Sequence, residues 1–394
     1  MIYDPLIFSK ADISFLKDTF SSLRALTLDT KPLDVSTLSA VKLHFPHILP
    51  EFDPNNIDEI NAARFHTWFE HRAAQNPDLL ALHSAEQGRS VTYQHLNEGA
   101  NRKAHCRDFF SFHICCSLGF FSDLRKTGVS RGSVVLLHLS RGFSMMEWII
   151  AVLKSGAAFA VADQKHPAPR TLSVISIAQP SIIIDDGNGR DLSKDASKPL
   201  DILDVSNLSF DDMPADNLDD VTQNDDLAYI VFTSGSTGEE SSGSFRFRVT
   251  NTSNIMSGKP KGVEIEHRNL SHFIADSYSS GYVSISPGSR VLQFATFSFD
   301  AAVLEWSQCL TLGGTLCFAD VPQALVGDYL ADVIEQNEIS FVHVTPSVLA
   351  TLPTSRALPS LRQISVGGEM VPENLVKTWR TRVQVQNAYG PTEW

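Results

Sequence analysis

The 394-residue sequence predicts an α/β protein built as tandem βαβ layers with mostly parallel sheets. Two observations carry this. From Ala62 onward, apolar runs of strand length alternate with longer segments of helical period. Runs such as Ser133–Leu139, with Val134–Leu137 apolar without interruption, carry the pattern of a strand covered on both faces. Hydrophobic residues at 43% and charged residues at 20% supply an ordinary globular core for such layers.

The elements follow in order. Phe65–Ala74 reads as a helix, Leu79–His83 as a strand, and Tyr93–Ala104 again as a helix. Ser133–Leu139 is a buried strand, Gly142–Lys154 a helix, and Ala157–Ala162 and Ser181–Asp185 are strands. The most apolar run, Met145–Ala162, is broken by Glu147, Lys154 and Gly156, which marks a buried helix followed by a strand and not a membrane span. Asp186–Asp226 is acidic and rich in turn residues, so it loops over the surface. The alternation resumes with strands near Val291–Phe294, Thr315–Phe318, Phe341–Val344 and Gln363–Val366. Helices between them begin near Ala301, Gly327 and Pro372.

Composition excludes several classes. A formal charge of -13 with no basic stripe argues against nucleic acid. Five cysteines without paired spacing make neither a disulfide framework nor a zinc site, and Cys309 and Cys317 read as core residues. No basic segment precedes an apolar block at the N-terminus, so the expected location is cytoplasmic, away from membranes. Residues 1–61, with Ile13, Leu16, Phe20 and Leu23 at helical spacing and Pro46, Pro50 and Pro54 beyond, read as a leader or the tail of a preceding module.

Two segments break the pattern. Cys106–Ser122 interrupts the helix that starts at Tyr93 and holds five of the 24 Phe without an amphipathic period. Glu239–Gly258 separates Leu227–Gly238 from Lys259-Pro260-Lys261-Gly262. Both read as translated introns; the alternative is surface insertions.

The split stretch carries the chemistry. An apolar strand, Leu227–Phe232, runs into Thr233-Ser234-Gly235-Ser236-Thr237-Gly238, a hydroxyl-rich turn whose N–H groups can close around phosphate oxygens. Lys259 and Lys261 supply cations. It is not a Walker loop, because neither glycine leads into Gly-Lys-Ser/Thr.

With the two segments set aside, Ala62 to the end resembles the adenylation domains of nonribosomal peptide synthetases, within the adenylate-forming ligases. Five motifs occur in the family's order. They are Val91-Thr92-Tyr93-Gln94-His95-Leu96, Leu153–Asp163 (with Ala160 and Ala162 as departures), the split phosphate loop, Phe299-Asp300-Ala301-Ala302, and Asn387-Ala388-Tyr389-Gly390-Pro391-Thr392-Glu393.

The resemblance implies ATP-dependent activation of an amino acid as aminoacyl-AMP, for transfer to phosphopantetheine on a carrier domain that this chain does not contain. By the same resemblance, Thr233, Ser234, Gly235, Ser236, Thr237 and Gly238 hold the β- and γ-phosphates and Lys261 adds charge. Thr392 touches the α-phosphate and Glu393 holds Mg²⁺. Gly367, Gly368, Asn387, Ala388, Tyr389 and Gly390 surround the adenine. Asp300 pairs with the substrate's α-ammonium, and Ala301, Leu304, His343, Ser365, Gly367 and Ala388 line the rest of its pocket.

The resemblance also implies only the N-terminal part of the adenylate-forming fold, with the C-terminal subdomain missing after Trp394. Two other readings remain: an acyl-CoA-type ligase, which needs no counter-charge at Asp300, and an inactive fragment that binds nucleotide or a partner without turnover. Lengthening the phosphate loop from roughly 6 to 26 residues costs only about 1 kcal/mol in closure entropy, so the fold tolerates it. Glu239 and Glu240 put negative charge beside the phosphates, and weak turnover is expected.

Overall fold

The computed structural model describes residues 64–109, 129–187, 199–233, 249–250, 261–319, 325–390 and 392. The leader 1–61 lies outside them. In chain order the first elements are α1 (Phe65–Gln75), β1 (Leu80–Ser84), β2 (Arg89–Thr92), α2 (Tyr93–Phe109), β3 (Val134–His138), α3 (Phe143–Lys154) and β4 (Ala158–Val161). Then come α4 (Ala168–Ala178), β5 (Ile182–Asp185), β6 (Ile202–Asp204), β7 (Leu227–Thr233), β8 (Val249–Thr250), β9 (Lys261–Glu266) and α5 (His267–Ser279). The last are β10 (Arg290–Leu292), α6 (Asp300–Thr311), β11 (Thr315–Cys317), α7 (Gly327–Gln336), β12 (Phe341–Val344), α8 (Pro346–Thr351), β13 (Gln363–Gly367), α9 (Glu373–Trp379) and β14 (Gln384–Ala388).

These strands form two seven-stranded sheets among the described residues, in the orders β14-β13-β12-β10-β11-β1-β2 and β6-β5-β3-β4-β7-β9-β8. Pairing is parallel from β14 through to β1 and from β6 through to β7, with antiparallel strands only at one edge of each sheet. The layers follow one another along the chain with one exception. β1 and β2 close the edge of the later sheet, where Leu82 pairs with Leu316 and His83 with Cys317.

Several elements were not anticipated from periodicity. α4 begins with Pro169 in its first turn, where a missing N–H costs nothing, and leaves through Gln179 in the left-handed region. α5 starts at a capping box in which Asn269 Oδ1 accepts the Glu266 N–H at 3.0 Å. The helix expected to end at Ala104 continues to Phe109, four residues into the aromatic segment; the rest of Cys106–Ser122 lies outside the described residues. Within Glu239–Gly258, Val249–Thr250 forms β8 on β9, and the remainder likewise lies outside.

The part of the acidic stretch beyond β6 is a strap over α2 and α3. Asn101 Nδ2 donates to the Ala215 carbonyl at 2.7 Å, and Phe210 packs edge-on against Trp148 at 5.5 Å. Between the sheets runs α6, buried from Ala302 to Thr311. Its Trp306 meets Phe65 of α1 edge-on at 4.7 Å and Phe159 of β4 at 6.2 Å, tying both layers to one helix. Cys309 and Cys317 are buried free thiols, as expected of core residues.

At the start of α5, His267 is wholly buried, and neither ring nitrogen has a partner among the described residues. Burial, reinforced by His66 and Arg64, pushes its pKa down to about 3. The unfolded chain therefore binds a proton that the folded one refuses, so His267 leaves stability untouched above about pH 6.5 and erodes it from there toward pH 3. Urea melts across this window should lose up to about 1.4 kcal/mol per pH unit on its account. His267→Leu should flatten that limb; an unchanged slope would rule His267 out as its source.

Candidate functional site

The site is built at the carboxyl ends of parallel strands, where side chains from different strands converge. Register aligns His343 of β12 with Ser365 of β13, and Gly367 of β13 with Ala388 of β14. The ring Nδ1 of His343 lies 2.9 Å from Ser365 Oγ. Facing them, α6 begins at Asp300, and Leu304 follows one turn later, buried on the same helix face.

Asp300 is half-buried, and Thr392 Oγ1 donates to its Oδ2 at 2.7 Å. The fifth motif is therefore tied directly to the fourth. The Ala301 N–H donates to Asp300 Oδ1 at 2.8 Å. Burial pushes the His343 imidazole down to about 4, with the Asp300 charge opposing. Burial and the same charge push the Tyr229 phenol up. The carboxylate, imidazole and phenol thus share one electrostatic neighbourhood, in which His343 is neutral at ordinary pH.

A Cβ on Gly367 would sit 2.8 Å from the Ala388 carbonyl oxygen and 2.9 Å from the Ala388 Cβ, distances that side-chain carbons do not tolerate. Gly368 has φ +82, in the left-handed region. Together they form a backbone ledge closely packed against β14. Asn387 and Gly390 lie exposed beside it, and the Tyr389 ring is 97% exposed.

The two halves of the split loop meet. Thr233 ends β7, Lys261 opens β9, and they are paired antiparallel neighbours. The strand that leads into the hydroxyl-rich turn and the strand that opens with the cation are thus one antiparallel pair. Ser234, Gly235, Ser236, Thr237, Gly238 and Glu393 lie outside the described residues, and no geometry is assigned to them.

One contributor was missed at the level of sequence. Glu305 is wholly buried on α6, and burial pushes its carboxyl up to about 8. Its oxygens accept the Phe294 N–H at 3.1 Å, the Ala295 N–H at 3.0 Å and the Gln293 Nε2–H at 3.1 Å. It therefore holds the segment that runs from β10 to Asp300. A lone glutamate within Ala302–Cys309 was the available signal, since a carboxylate in an apolar run is costly unless hydrogen bonds meet it.

The glycine ledge makes a stability prediction. Gly367→Ala should cost about 1–3 kcal/mol, because β14 must be displaced to admit the methyl. Gly99→Ala on α2 would place its Cβ no closer than 3.5 Å to Glu147, so it should be neutral or slightly stabilising. Thermal melts of the two variants compare them, and equal shifts would contradict the close approach at Gly367.

The chain matches the family described as "AMP-binding enzyme" over residues 120–240 and 257–394. It is 57% identical along its whole length to the hybrid PKS-NRPS synthetase TAS1 of Gloeophyllum trabeum, covering 23% of that protein. It is 31% identical over 99% of its length to a linear gramicidin synthase polypeptide of Brevibacillus parabrevis, covering 7% of it. The chain thus spans about a quarter or less of the relatives it matches. Among solved structures, the nonribosomal peptide synthetase FmoA3 superposes with a TM-score of 0.66 at 22% identity, over 85% of this chain and 33% of that one. The N-terminal domain of FACL13 from Mycobacterium tuberculosis superposes with a TM-score of 0.67 at 20% identity, over 84% of this chain and 76% of that one. Among the described residues no helix is long and apolar enough to cross a membrane. Motif order, fold and sequence agree: the chain belongs to the family of AMP-binding enzymes, and the curated relatives named above are synthetases of which it spans a small part.

Proposed function

We propose that this chain carries the site at which an amino acid is activated by ATP as aminoacyl-AMP, for transfer to a phosphopantetheine-bearing carrier domain. The observation that carries the reading is Asp300. A carboxylate at the first turn of a buried helix, hydrogen-bonded by Thr392 and facing a neutral His343, is a counter-charge awaiting a cation. The α-ammonium of an amino acid supplies one, and a fatty or aryl acid does not. The synthetases among its relatives, and the FmoA3 structure described as AMPPNP-bound, support the same reading.

The purine is proposed to lie along the Gly367–Gly368 ledge, beside the exposed Tyr389 ring. ATP supplies the electrophilic α-phosphorus and the leaving pyrophosphate. Asp300 fixes the substrate amine, and Leu304, His343, Ser365, Gly367 and Ala388 shape the space for its side chain. Lys261, beside Thr233 at the hairpin mouth, sets positive charge where the phosphates lie. Glu393 carries the proposed metal-holding role.

Exchange of labelled pyrophosphate into ATP tests the substrate class, using panels of amino acids, fatty acids and aryl acids. Amino acids should drive exchange and the other panels should not. Asp300→Ala should lower amino-acid-dependent exchange on the order of a hundredfold or more, the cost of leaving a buried ammonium unpaired, while nucleotide binding persists. Exchange that survives the substitution, or that fatty or aryl acids support, overturns the amino-acid reading.

A further inference from the structure

The side of the pocket formed by His343 and Ser365 is backed by a residue that none of the family motifs includes. Tyr282 lies in the connection between α5 and β10, and its hydroxyl is 2.7 Å from Ser365 Oγ. Its position is imposed by β13. Gln363, two residues before Ser365 and on the same face, donates Nε2–H to the Tyr282 carbonyl at 2.7 Å and accepts the Ser284 N–H on Oε1 at 2.8 Å. Gln386 of β14 donates to the Gly281 carbonyl at 3.1 Å. Side-chain amides thus do the work of a neighbouring strand, and residues 281–284 are clipped to the sheet.

The clip creates a three-member chain, Tyr282 hydroxyl, Ser365 hydroxyl and His343 Nδ1, with links of 2.7 and 2.9 Å. Its direction follows from counting donors. The Tyr282 hydroxyl has no other acceptor among the described residues, so its proton goes to Ser365 Oγ. Ser365 then spends its own proton on His343 Nδ1. The neutral imidazole must carry its hydrogen on Nε2, which has no partner among the described residues. In the opposite direction, His343 Nδ1–H would donate to Ser365 and Ser365 to Tyr282, and the phenolic proton would have no acceptor among the described residues; with Tyr282 and His343 both donating to Ser365 Oγ, the proton of the buried Ser365 would have none among them. Asp300 on α6, whose charge bears on His343, makes its own hydrogen bonds to Thr392 and the Ala301 N–H and none to Nδ1.

We propose that Tyr282 is a specificity-determining positioning residue. Through Ser365 it holds the His343 ring in one orientation and one tautomer, so that the pocket presents an Nε2–H donor to the side chain of the substrate. This rests on the amino-acid reading above. The ring clamp makes a further claim of its own: the tautomer is set by a tyrosine that does not line the pocket.

The test uses the full chain labelled with ¹⁵N-histidine, with the His343 resonance identified by its loss in His343→Gln. The wild type should show the Nε2–H tautomer at neutral pH. Tyr282→Phe, which removes one oxygen and keeps the ring, should move the signal toward the Nδ1–H tautomer, since Ser365 is then free to accept. Ser365→Ala provides a second variant should the first fail to fold. In amino-acid-dependent pyrophosphate exchange, Tyr282→Phe should raise KM for the amino acid about fivefold, the worth of one hydrogen bond, with KM for ATP unchanged. An unchanged tautomer in a folded Tyr282→Phe protein overturns the proposal, as does a changed tautomer with an unchanged amino-acid KM. If the tautomer shifts and no amino acid drives exchange in either protein, the clamp stands and the amino-acid reading fails.

Discussion

The burial of α6 between the two sheets is the constraint on which the rest depends. Ten successive residues, Ala302–Thr311, are removed from water, and Trp306 touches elements of both layers. A helix packed on all sides cannot rotate or slide without opening a void, and voids cost several kcal/mol for large side chains. Asp300 therefore inherits its position from the core. The same helix carries Glu305, whose carboxyl collects the backbone donors of the incoming segment and so fixes the approach to Asp300 as firmly as the helix fixes its exit.

The second constraint is parallel register. β12, β13 and β14 end at one edge, so His343, Ser365, Gly367 and Ala388 converge although they are spread over 46 positions of chain. Close approach then does the shaping: the glycine at 367 leaves the Ala388 backbone where a side chain would have pushed it away. The hairpin formed by β7 and β9 applies the same logic to the phosphate side. Because Thr233 and Lys261 are ladder partners, a long excursion between them leaves the strand ends together. Loop closure entropy grows slowly with length, which is why a fold can carry such an excursion.

Much of the architecture was legible beforehand. Strands such as Phe341–Val344 and helices such as the one beginning at Gly327 announce themselves, because mostly apolar runs and helical periods reflect burial directly. α4 and α5 were not legible, since proline in a first turn and a capping box with Glu266 and Asn269 look like loop chemistry until the helix is seen. In the candidate site, residues inside motifs could be nominated from the sequence: Asp300, Tyr389, the glycines and the split loop. Tyr282, Gln363 and Glu305 were not. Their roles come from hydrogen bonds to partners that only folding brings near, as with Tyr282 and Ser365.

By itself, then, the amino-acid order determined the class of fold, the family and the side chains that carry charge, because hydrophobic period and short motifs are local properties of the chain. Tertiary structure alone decided that β1 and β2 cap the later sheet, that Thr392 binds Asp300, and that the Tyr282 hydroxyl, Ser365 and His343 stand within hydrogen-bond reach of one another in a row. These are facts of register and distance between residues far apart in sequence. Nothing in a linear pattern encodes which donor will find which acceptor until packing has removed the water that would otherwise satisfy both.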